Sequence, residues 1–220
     1  MKQAAWTQRL KGRFVVFDGP DGSGKSTQFR RFSALCRDGG IEVTEVREPG
    51  GTAIGERIRE VLLDPAQRIE PVSELYLFLA ARADLVARVV APALAAGRTV
   101  IADRFQLSTE AYQCGGRGLD RALVLAANRA ATGGLQPDLT LVLDLPPELG
   151  FERIRQAGQG LDRIERAGRD FHARVGAVFR NATGPGVVHL DATLPPEQVL
   201  RSAWEAGIAA GVGAGGATAG

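Results

Sequence analysis

The amino-acid sequence predicts a three-layer α/β/α fold built around a five-stranded parallel sheet. Short apolar runs alternate with longer amphipathic runs along the chain, and clusters of turn residues separate them. Strands separated by helices form βαβ units, in which the strands are parallel. Several of the short runs are apolar almost throughout, which fits a sheet that helices cover on both faces.

Five segments have the composition of buried strands. The first is an apolar run that ends at a glycine-rich turn, the second alternates and is rich in β-formers, and the third ends in an aspartate. Residues of this kind fit a pleated surface inside a protein. The predicted strands are residues 13–18, 41–47, 99–103, 139–145 and 187–191.

The segments between these strands have helical periodicity. In the first of them Phe29, Phe32 and Cys36 recur on one face, and glycines then end the pattern. The predicted helices are residues 26–37, 54–63, 73–91, a helix from 108, 119–131, 151–180 with a break near 158–160, and 196–208. Ser108 is a candidate N-cap. We interpret Gly115, Gly116 and Gly118 as a flexible loop at the rim of the site, and Arg117 between them receives no role.

Length and composition indicate one domain over residues 1–205. The chain has 220 residues, of which 45% are hydrophobic and 24% charged, and this balance excludes disorder of the whole chain. A net charge of +2 argues against a bulk nucleic-acid binder, and no apolar stretch reaches the ~20 residues of a membrane span. Two cysteines are too few for a disulfide scaffold, so we expect a cytoplasmic protein. From the charge and the apolar stretches, we expect no nucleic-acid or membrane partner. Residues 206–220, rich in glycine and alanine, are expected to form a flexible tail.

A phosphate-binding loop follows the first predicted strand. Residues 19–26 fit the pattern G-x-x-x-x-G-K-[ST] and open a predicted helix, which is the context that this motif requires. Backbone N–H groups of such a loop surround an anion, and the helix dipole adds positive potential. Lys25 supplies a point charge to the β- and γ-phosphates, and the Ser26 hydroxyl is a Mg²⁺ ligand. The sequence therefore predicts binding of a nucleoside triphosphate.

Two further clusters have the chemistry to bind a nucleotide acceptor. Phe78 and Arg82 are four residues apart on a predicted helix, so an aromatic plane and a guanidinium share a face that suits a base. The alternative interpretation of this pair is a Phe in the core beside an Arg on the surface. Asp103 ends the third strand, where a carboxylate can hold the Mg²⁺ shell, and Arg104 can bind a phosphate with two hydrogen bonds. The alternative for this pair is a structural ion pair.

A third cluster follows on the next predicted helix. Thr109, Tyr112 and Gln113 have the spacing i, i+3, i+4, which places a hydroxyl, a phenol and an amide on one face. These groups can recognise a base edge and a sugar. A polar helix surface is the alternative interpretation.

Together these residues resemble the thymidylate kinase family. The similarity runs in order from about residue 13 to residue 191, and its most specific part is the stretch DRFQLSTEAYQ, residues 103–113. It also includes residues 19–27, the segment REPGGT at 47–52, the Phe78/Arg82 pair, and DRIE at 162–165. The resemblance implies a P-loop kinase fold with a lid at about residues 150–166. It also implies transfer of the γ-phosphoryl group of ATP to dTMP with Mg²⁺, and a homodimer.

The resemblance also implies roles for individual residues. Phe78 would stack on thymine, Arg82 would reach a base carbonyl, and Thr109 with Gln113 would recognise the base edge. Tyr112 would crowd the sugar 2′ position, Arg104 would hold the dTMP phosphate, and Asp21 would approach the acceptor sugar or the metal. Pro49 is expected to be cis. The implied metal ligands are Ser26 and Asp103. The implied ATP-binding residues are Gly19, Pro20, Asp21, Gly22, Ser23, Gly24, Lys25, Ser26, Thr27, Asp191 and Ala192.

Phosphoryl transfer calls for a mobile cation besides Lys25, because charge on the transferring group must be neutralised. In this family an arginine comes either from the phosphate loop or from the lid. Here Gly22 occupies the position in the loop where the arginine would be. The chain therefore resembles the bacterial type with lid arginines, for which Arg153 and Arg155 are the candidates. Solvated helix charges are the alternative. The implied catalytic residues are Lys25, Arg104, Arg153, Arg155 and Asp21.

Two other functions stay open on the sequence, and two more are disfavoured. The chain is compatible with another nucleoside or nucleotide kinase, and with a regulator that binds ATP without phosphorylating a metabolite. A structural protein with an inactive phosphate loop is disfavoured because Lys25, Ser26 and Asp103 are intact. A switch GTPase is disfavoured because no Asn-Lys-x-Asp element follows the loop.

Overall fold

A computed structural model describes residues 8–156, 158 and 160–210 of the chain. Five parallel strands form one sheet in the order β2-β3-β1-β4-β5, which confirms the predicted sheet. Each strand lies within its predicted segment. The strands are β1 (Phe14–Asp18), β2 (Val43–Arg47), β3 (Thr99–Asp103), β4 (Leu139–Asp144) and β5 (Val187–Asp191). The burial of β1 on both faces fits its apolar sequence, whereas the edge strands β2 and β5 are only partly buried.

Helices connect the strands and form the outer layers. They are α1 (Lys25–Asp38), α2 (Ala53–Leu63), α3 (Pro71–Leu85), α4 (Ala91–Ala95), α5 (Gln106–Thr109), α6 (Arg121–Thr132), α7 (Pro147–Gln156), α8 (Arg169–Arg180) and α9 (Pro196–Ala210). Wider π-helical turns, Val86–Val90 and Glu110–Gly116, continue α3 and α5. Within the described ranges, no helix combines the length and the apolar character needed to cross a membrane.

Side chains of the strands alternate between two apolar layers. On β1, Val15 and Phe17 face α1 and α9, where Phe29 and Phe32 pack against them. Phe14 and Val16 face the opposite side, toward the end of α3 and Phe105. Alternation of this kind follows from the period of two along a strand. The sheet is therefore rigidly held between helices, and its carboxyl edge can position the loops that follow each strand.

Two interpretations of the stretch after β3 are wrong. Ser108 does not cap a helix: it lies inside α5, and its hydroxyl donates to Asp18 Oδ1 at 2.6 Å, because that buried carboxylate requires donors. Gly115 and Gly116 are not a flexible loop but belong to the π-helical turn. A Cβ on Gly116 would overlap the ring of Phe171 on α8. These glycines therefore permit close helix packing.

Several helix ends differ from the predicted bounds. The predicted helix 73–91 starts at Pro71 and continues to Ala95, since proline is well suited to the first turn of a helix. The predicted helix 151–180 is two helices, and the segment between Gln156 and Arg169 is longer than the expected break. Residues 206–210 of the expected tail extend α9. The rest of that expected tail, residues 211–220, lies outside the described residues.

Candidate active site

The phosphate loop connects β1 to the N-terminus of α1. Gly24 precedes the helix with φ of 88°, a left-handed conformation that glycine adopts without strain. The ammonium of Lys25 donates to the carbonyl oxygen of Pro20 at 2.8 Å, so it lies across the loop. Burial, together with the charge of Arg104, lowers the pKa of Lys25 to about 8. A bound polyphosphate would reverse that effect by adding negative charge beside the ammonium.

Helix α7, which overlaps the segment predicted to form a lid, packs directly on the phosphate loop. A Cβ at Gly22, where φ is 75°, would lie 2.7 Å from the Cα of Gly150, so only glycine fits there. Arg153 extends this contact, since its Nη1 donates to the Gly22 carbonyl at 3.4 Å and its Nη2 to the Ala192 carbonyl at 3.0 Å. Arg155 is exposed, and its guanidinium has no hydrogen bond or ion pair to a described residue. The two arginines therefore differ: the guanidinium of Arg153 is anchored, and that of Arg155 has no partner among the described residues.

The loop that follows β5 is the third element at this end of the sheet. Asp191 Oδ1 accepts from the backbone N–H and the hydroxyl of Thr193, at 2.9 and 2.6 Å, which closes a tight turn. The N–H of Ala192 donates to the Asp144 carbonyl at 2.9 Å. Arg153 holds this turn beside the phosphate loop, as described above. Asp191 and Ala192 therefore border the phosphate loop without lining the cavity described below.

The two predicted metal ligands are neighbours. Ser26 Oγ donates to Asp103 Oδ2 at 2.7 Å, although 77 residues separate them in sequence. Both lie at the carboxyl edge of the sheet, Ser26 at the start of α1 and Asp103 at the end of β3. A hydroxyl and a carboxylate oxygen are the kinds of donor that Mg²⁺ prefers. The donor set therefore fits this metal.

Arg104 lies at the centre of a partly buried network of polar groups. Its φ of 74° is the only left-handed value at a non-glycine residue in the described segments. Its Nη1 donates to the Gly19 carbonyl at 3.1 Å and to Ser108 Oγ at 2.9 Å, while its Nη2 donates to Asp21 and Tyr112. The strained backbone therefore directs the guanidinium across the phosphate loop.

Asp21 and Tyr112 form the wall opposite this guanidinium. The phenol of Tyr112 donates to Asp21 Oδ2 at 2.6 Å. Burial raises the pKa of Asp21, but the charges of Arg104 and Lys25 outweigh it and hold that pKa below the ordinary value. Asp21 is therefore an anion that fixes both the cation and the phenol.

The guanidinium of Arg82 is fully occupied by protein partners. It is 2% exposed, and its Nε donates to both carboxylate oxygens of Glu48, at 3.0 and 2.8 Å. The other N–H groups go to Glu48, Thr109, Asn128 and the Phe105 carbonyl. All five N–H groups thus have acceptors. Arg82 is therefore not a surface arginine, which corrects that alternative. Its side chain lines the cavity described below, and its predicted contact with a base carbonyl stays a prediction.

One cavity of about 490 Å³ joins these groups. Its phosphate end is lined by Asp21, Gly22, Gly24, Lys25, Ser26, Thr27, Asp103 and Arg104, and its other end by Phe78, Arg82, Thr109, Tyr112 and Gln113. Pro49, whose peptide bond with Glu48 is cis as expected, borders both. Gly19, Pro20, Ser23, Arg153 and Arg155 do not line it. The structure therefore brings together groups from four separate sequence segments, at residues 21–27, 49, 78–82 and 103–113.

The sequence analysis assigned no site role to several residues here. Glu48 and Arg59 line the cavity, and Arg59 Nη1 donates to the Pro49 carbonyl at 3.0 Å. Beneath the cavity, the buried Glu74 binds Gln113, Arg117 and Arg163. The sequence does contain one signal for Glu74. This residue is four residues before Phe78 and eight before Arg82, so all three residues lie on one face of α3.

Comparison with known proteins identifies the family. The chain matches the sequence profile described as "Thymidylate kinase" over residues 17–203. It is 46% identical over 199 residues to a thymidylate kinase of Deinococcus radiodurans, covering 89% of this chain and 96% of that one. It is 45% identical over 203 residues to one from Prosthecochloris aestuarii, covering 87% and 91%. It is 46% identical over 197 residues to one from Pseudomonas fluorescens strain Pf0-1, covering 88% and 93%. The chain belongs to the thymidylate kinase family.

Proposed function

We propose that this chain phosphorylates dTMP to dTDP, with ATP as the phosphoryl donor and Mg²⁺ as the metal. The observation that supports this most is the single cavity that runs from the phosphate loop to the Phe78 end. A donor and an acceptor can meet in it without leaving the protein. Family membership supports the choice of dTMP as acceptor.

The triphosphate occupies the phosphate loop in this proposal. Its β- and γ-phosphates accept from the backbone N–H groups at the start of α1 and from Lys25. Ser26 and Asp103 would hold Mg²⁺, which neutralises charge on the transferring phosphoryl group. The adenine lies toward the turn at Asp191 and Ala192, where Arg153 joins that turn to the loop.

The acceptor occupies the other end. Arg104 binds the dTMP phosphate, because its guanidinium faces the phosphate loop and is held on both sides. Tyr112, fixed by Asp21, crowds the sugar 2′ position and so favours deoxyribose. Phe78, half-buried on the cavity wall, stacks on the base. Arg82 orients Thr109, since Nη1 donates to Thr109 Oγ1 at 2.7 Å.

The chemistry needs little more than positioning. A phosphate oxygen of dTMP forms a bond to the γ-phosphorus while the bond from that phosphorus to the bridging oxygen of ADP breaks. The attacking oxygen is already ionised, so no general base is required. Lys25 and Arg155 neutralise the charge that spreads over the transferring group. We assign this role to Arg155 because Arg153 is anchored.

We also propose that the enzyme is a homodimer that pairs through α2 and α3. The large apolar side chains most exposed among the described residues include Ile54 and Val61 on α2, and Val72 and Tyr76 on α3. These two helices pack against each other, and in this proposal their exposed apolar side chains form one surface. An exposed apolar patch of this kind marks an interface. The cytoplasmic location expected from the sequence stays a prediction.

The direct test is ADP release by the purified protein with ATP and Mg²⁺. We would compare dTMP with dUMP, UMP, dCMP, AMP, GMP and thymidine as acceptors. Strong release with dTMP and weak release with the others supports the proposal. Preference for another acceptor favours a different nucleoside or nucleotide kinase, and ATP binding without ADP release with any acceptor favours a regulator.

A further inference from the structure

A buried carboxylate lies beneath the base-binding end of the cavity. Glu74, on α3, has no exposed surface, and its Oε1 accepts from Gln113 Nε2 at 2.9 Å and from Arg117 Nε at 3.0 Å. Its Oε2 accepts from Arg117 Nη2 at 2.9 Å and lies 2.6 Å from Arg163 Nη1. Burial raises the pKa of Glu74, but the hydrogen bonds from Arg117 and Gln113 hold it below the ordinary value. Glu74 is therefore ionised, and an ionised carboxylate only accepts hydrogen bonds.

This carboxylate fixes the orientation of the Gln113 amide. A glutamine amide has one accepting oxygen and one donating NH₂ group, and the two exchange places when the amide turns over. Because Glu74 cannot donate, Gln113 must direct its NH₂ group toward it. Gln113 is 1% exposed and lines the cavity, and no described residue donates to its Oε1. The amide therefore offers an acceptor to a ligand.

Thr109, one helical turn before Gln113, offers a ligand a hydrogen-bond donor. Its Oγ1 accepts from Arg82 Nη1, which leaves the hydroxyl proton available to donate. A donor beside an acceptor matches a base edge with a carbonyl next to a ring N–H, as in C4=O and N3–H of thymine. Cytosine has the reverse order, with an amino donor at C4 and a bare accepting nitrogen at position 3.

We infer that Glu74 is a positioning residue that sets the base preference of the enzyme, by holding Gln113 in the orientation that accepts N3–H. The inference rests on the proposed placement of the base between Phe78, Thr109 and Gln113. It adds a residue that touches no substrate and that no motif in the sequence includes.

The Glu74→Gln variant tests the inference, because it keeps the shape of the side chain and adds a donor. Two arginine nitrogens, Arg117 Nη2 and Arg163 Nη1, face the Oε2 position, whereas one, Arg117 Nε, faces Oε1. We therefore expect the oxygen of the new amide at the Oε2 position. Its NH₂ group then faces Gln113, whose amide turns over and presents NH₂ to the cavity. That arrangement suits cytosine rather than thymine.

The measurement compares kcat/KM for dTMP with kcat/KM for 5-methyl-dCMP, because these two acceptors differ only at this edge. In Glu74→Gln the ratio is expected to fall at least about tenfold, equivalent to ~1.4 kcal/mol. The KM for ATP should stay at the wild-type value. A ratio of rates on one preparation does not depend on the fraction of folded protein, so a loss of stability does not obscure the result. An unchanged ratio overturns the inference.

Three further variants separate the possible outcomes. Glu70→Gln removes an exposed carboxylate from the residue preceding the same helix and is expected to leave the ratio unchanged. Glu74→Asp retains a group that only accepts, so it must keep the preference for dTMP; a shift toward 5-methyl-dCMP overturns the inference even if Glu74→Gln does not fold. Gln113→Ala tests the underlying placement of the base. If it leaves the KM for dTMP unchanged, that placement is wrong and the inference falls with it.

Discussion

The buried ion pair between Glu48 and Arg82 should carry a large part of the stability of the site. Glu48→Gln keeps the shape of the side chain and removes its charge, which leaves the Arg82 guanidinium without a counter-ion. The two side chains are 5% and 2% exposed, so water cannot replace the missing charge. Loss of one partner of a buried pair costs about 3–5 kcal/mol in the free energy of unfolding. For a domain of this size, that corresponds to a melting temperature lower by roughly 10 °C.

Urea and thermal unfolding, followed by circular dichroism, would measure this effect. Glu197→Gln is the matched control, because Glu197 pairs with Arg31 at 2.6 Å but its side chain is 76% exposed. An exposed pair contributes no more than about 1 kcal/mol, so the control should resemble the wild type. If Glu48→Gln also loses less than about 1 kcal/mol, the reasoning that assigns Arg82 to this buried pair is wrong.

Three other predictions follow from the geometry. Phe78→Ala should raise the KM for dTMP about 10- to 100-fold through lost stacking and leave the KM for ATP unchanged, so a change in both would contradict the stacking role. Arg155→Ala should lower kcat by about 10³-fold with little effect on the KM for ATP, whereas Arg153→Ala should mainly raise the KM for ATP. If steady-state kinetics show the kcat effect for Arg153→Ala and the KM effect for Arg155→Ala, the two roles are exchanged. Burial lowers the pKa of His189, but the Ala182 carbonyl and Asp144 outweigh burial and raise that pKa above 6.5. The protonated imidazole therefore contributes its full stability below about pH 6.5, and this contribution is lost as the pH rises through the raised pKa. Denaturant unfolding of wild type and His189→Gln should therefore differ more at about pH 6 than at about pH 9, and a difference that grows with pH would contradict this.

The strands and the phosphate loop could be predicted because their signals are local. A run of apolar residues determines burial on both faces, and the loop motif encodes its own turn. The helix after β3 was harder to predict, because tertiary contacts determine it. Ser108 resembles an N-cap in sequence, but the buried Asp18 binds its hydroxyl. The glycines at 115 and 116 resemble a loop, but their lack of a side chain lets α8 approach.

Residues of the candidate site were easier to predict where they belong to a motif than where they act through another residue. Asp103 and Ser26 belong to recognisable motifs and are in contact, and their role as metal ligands stays a prediction. Arg82 has the spacing of a base-binding residue, but its partner Glu48 lies 34 residues away in sequence and occupies the guanidinium. Glu74 has no motif, since its two cations come from segments 43 and 89 residues further along. Only the folded chain brings such charges together.

The central claim is that one cavity transfers a phosphoryl group from ATP to dTMP, and a label on the γ-phosphate tests it most directly. The protein would be mixed with Mg²⁺ and γ-labelled ATP in a single turnover, with and without dTMP, and the products separated. The account predicts that the label appears on dTDP when dTMP is present and stays on ATP when it is absent. Label released as inorganic phosphate, or label that stays on ATP with dTMP present, would contradict the account.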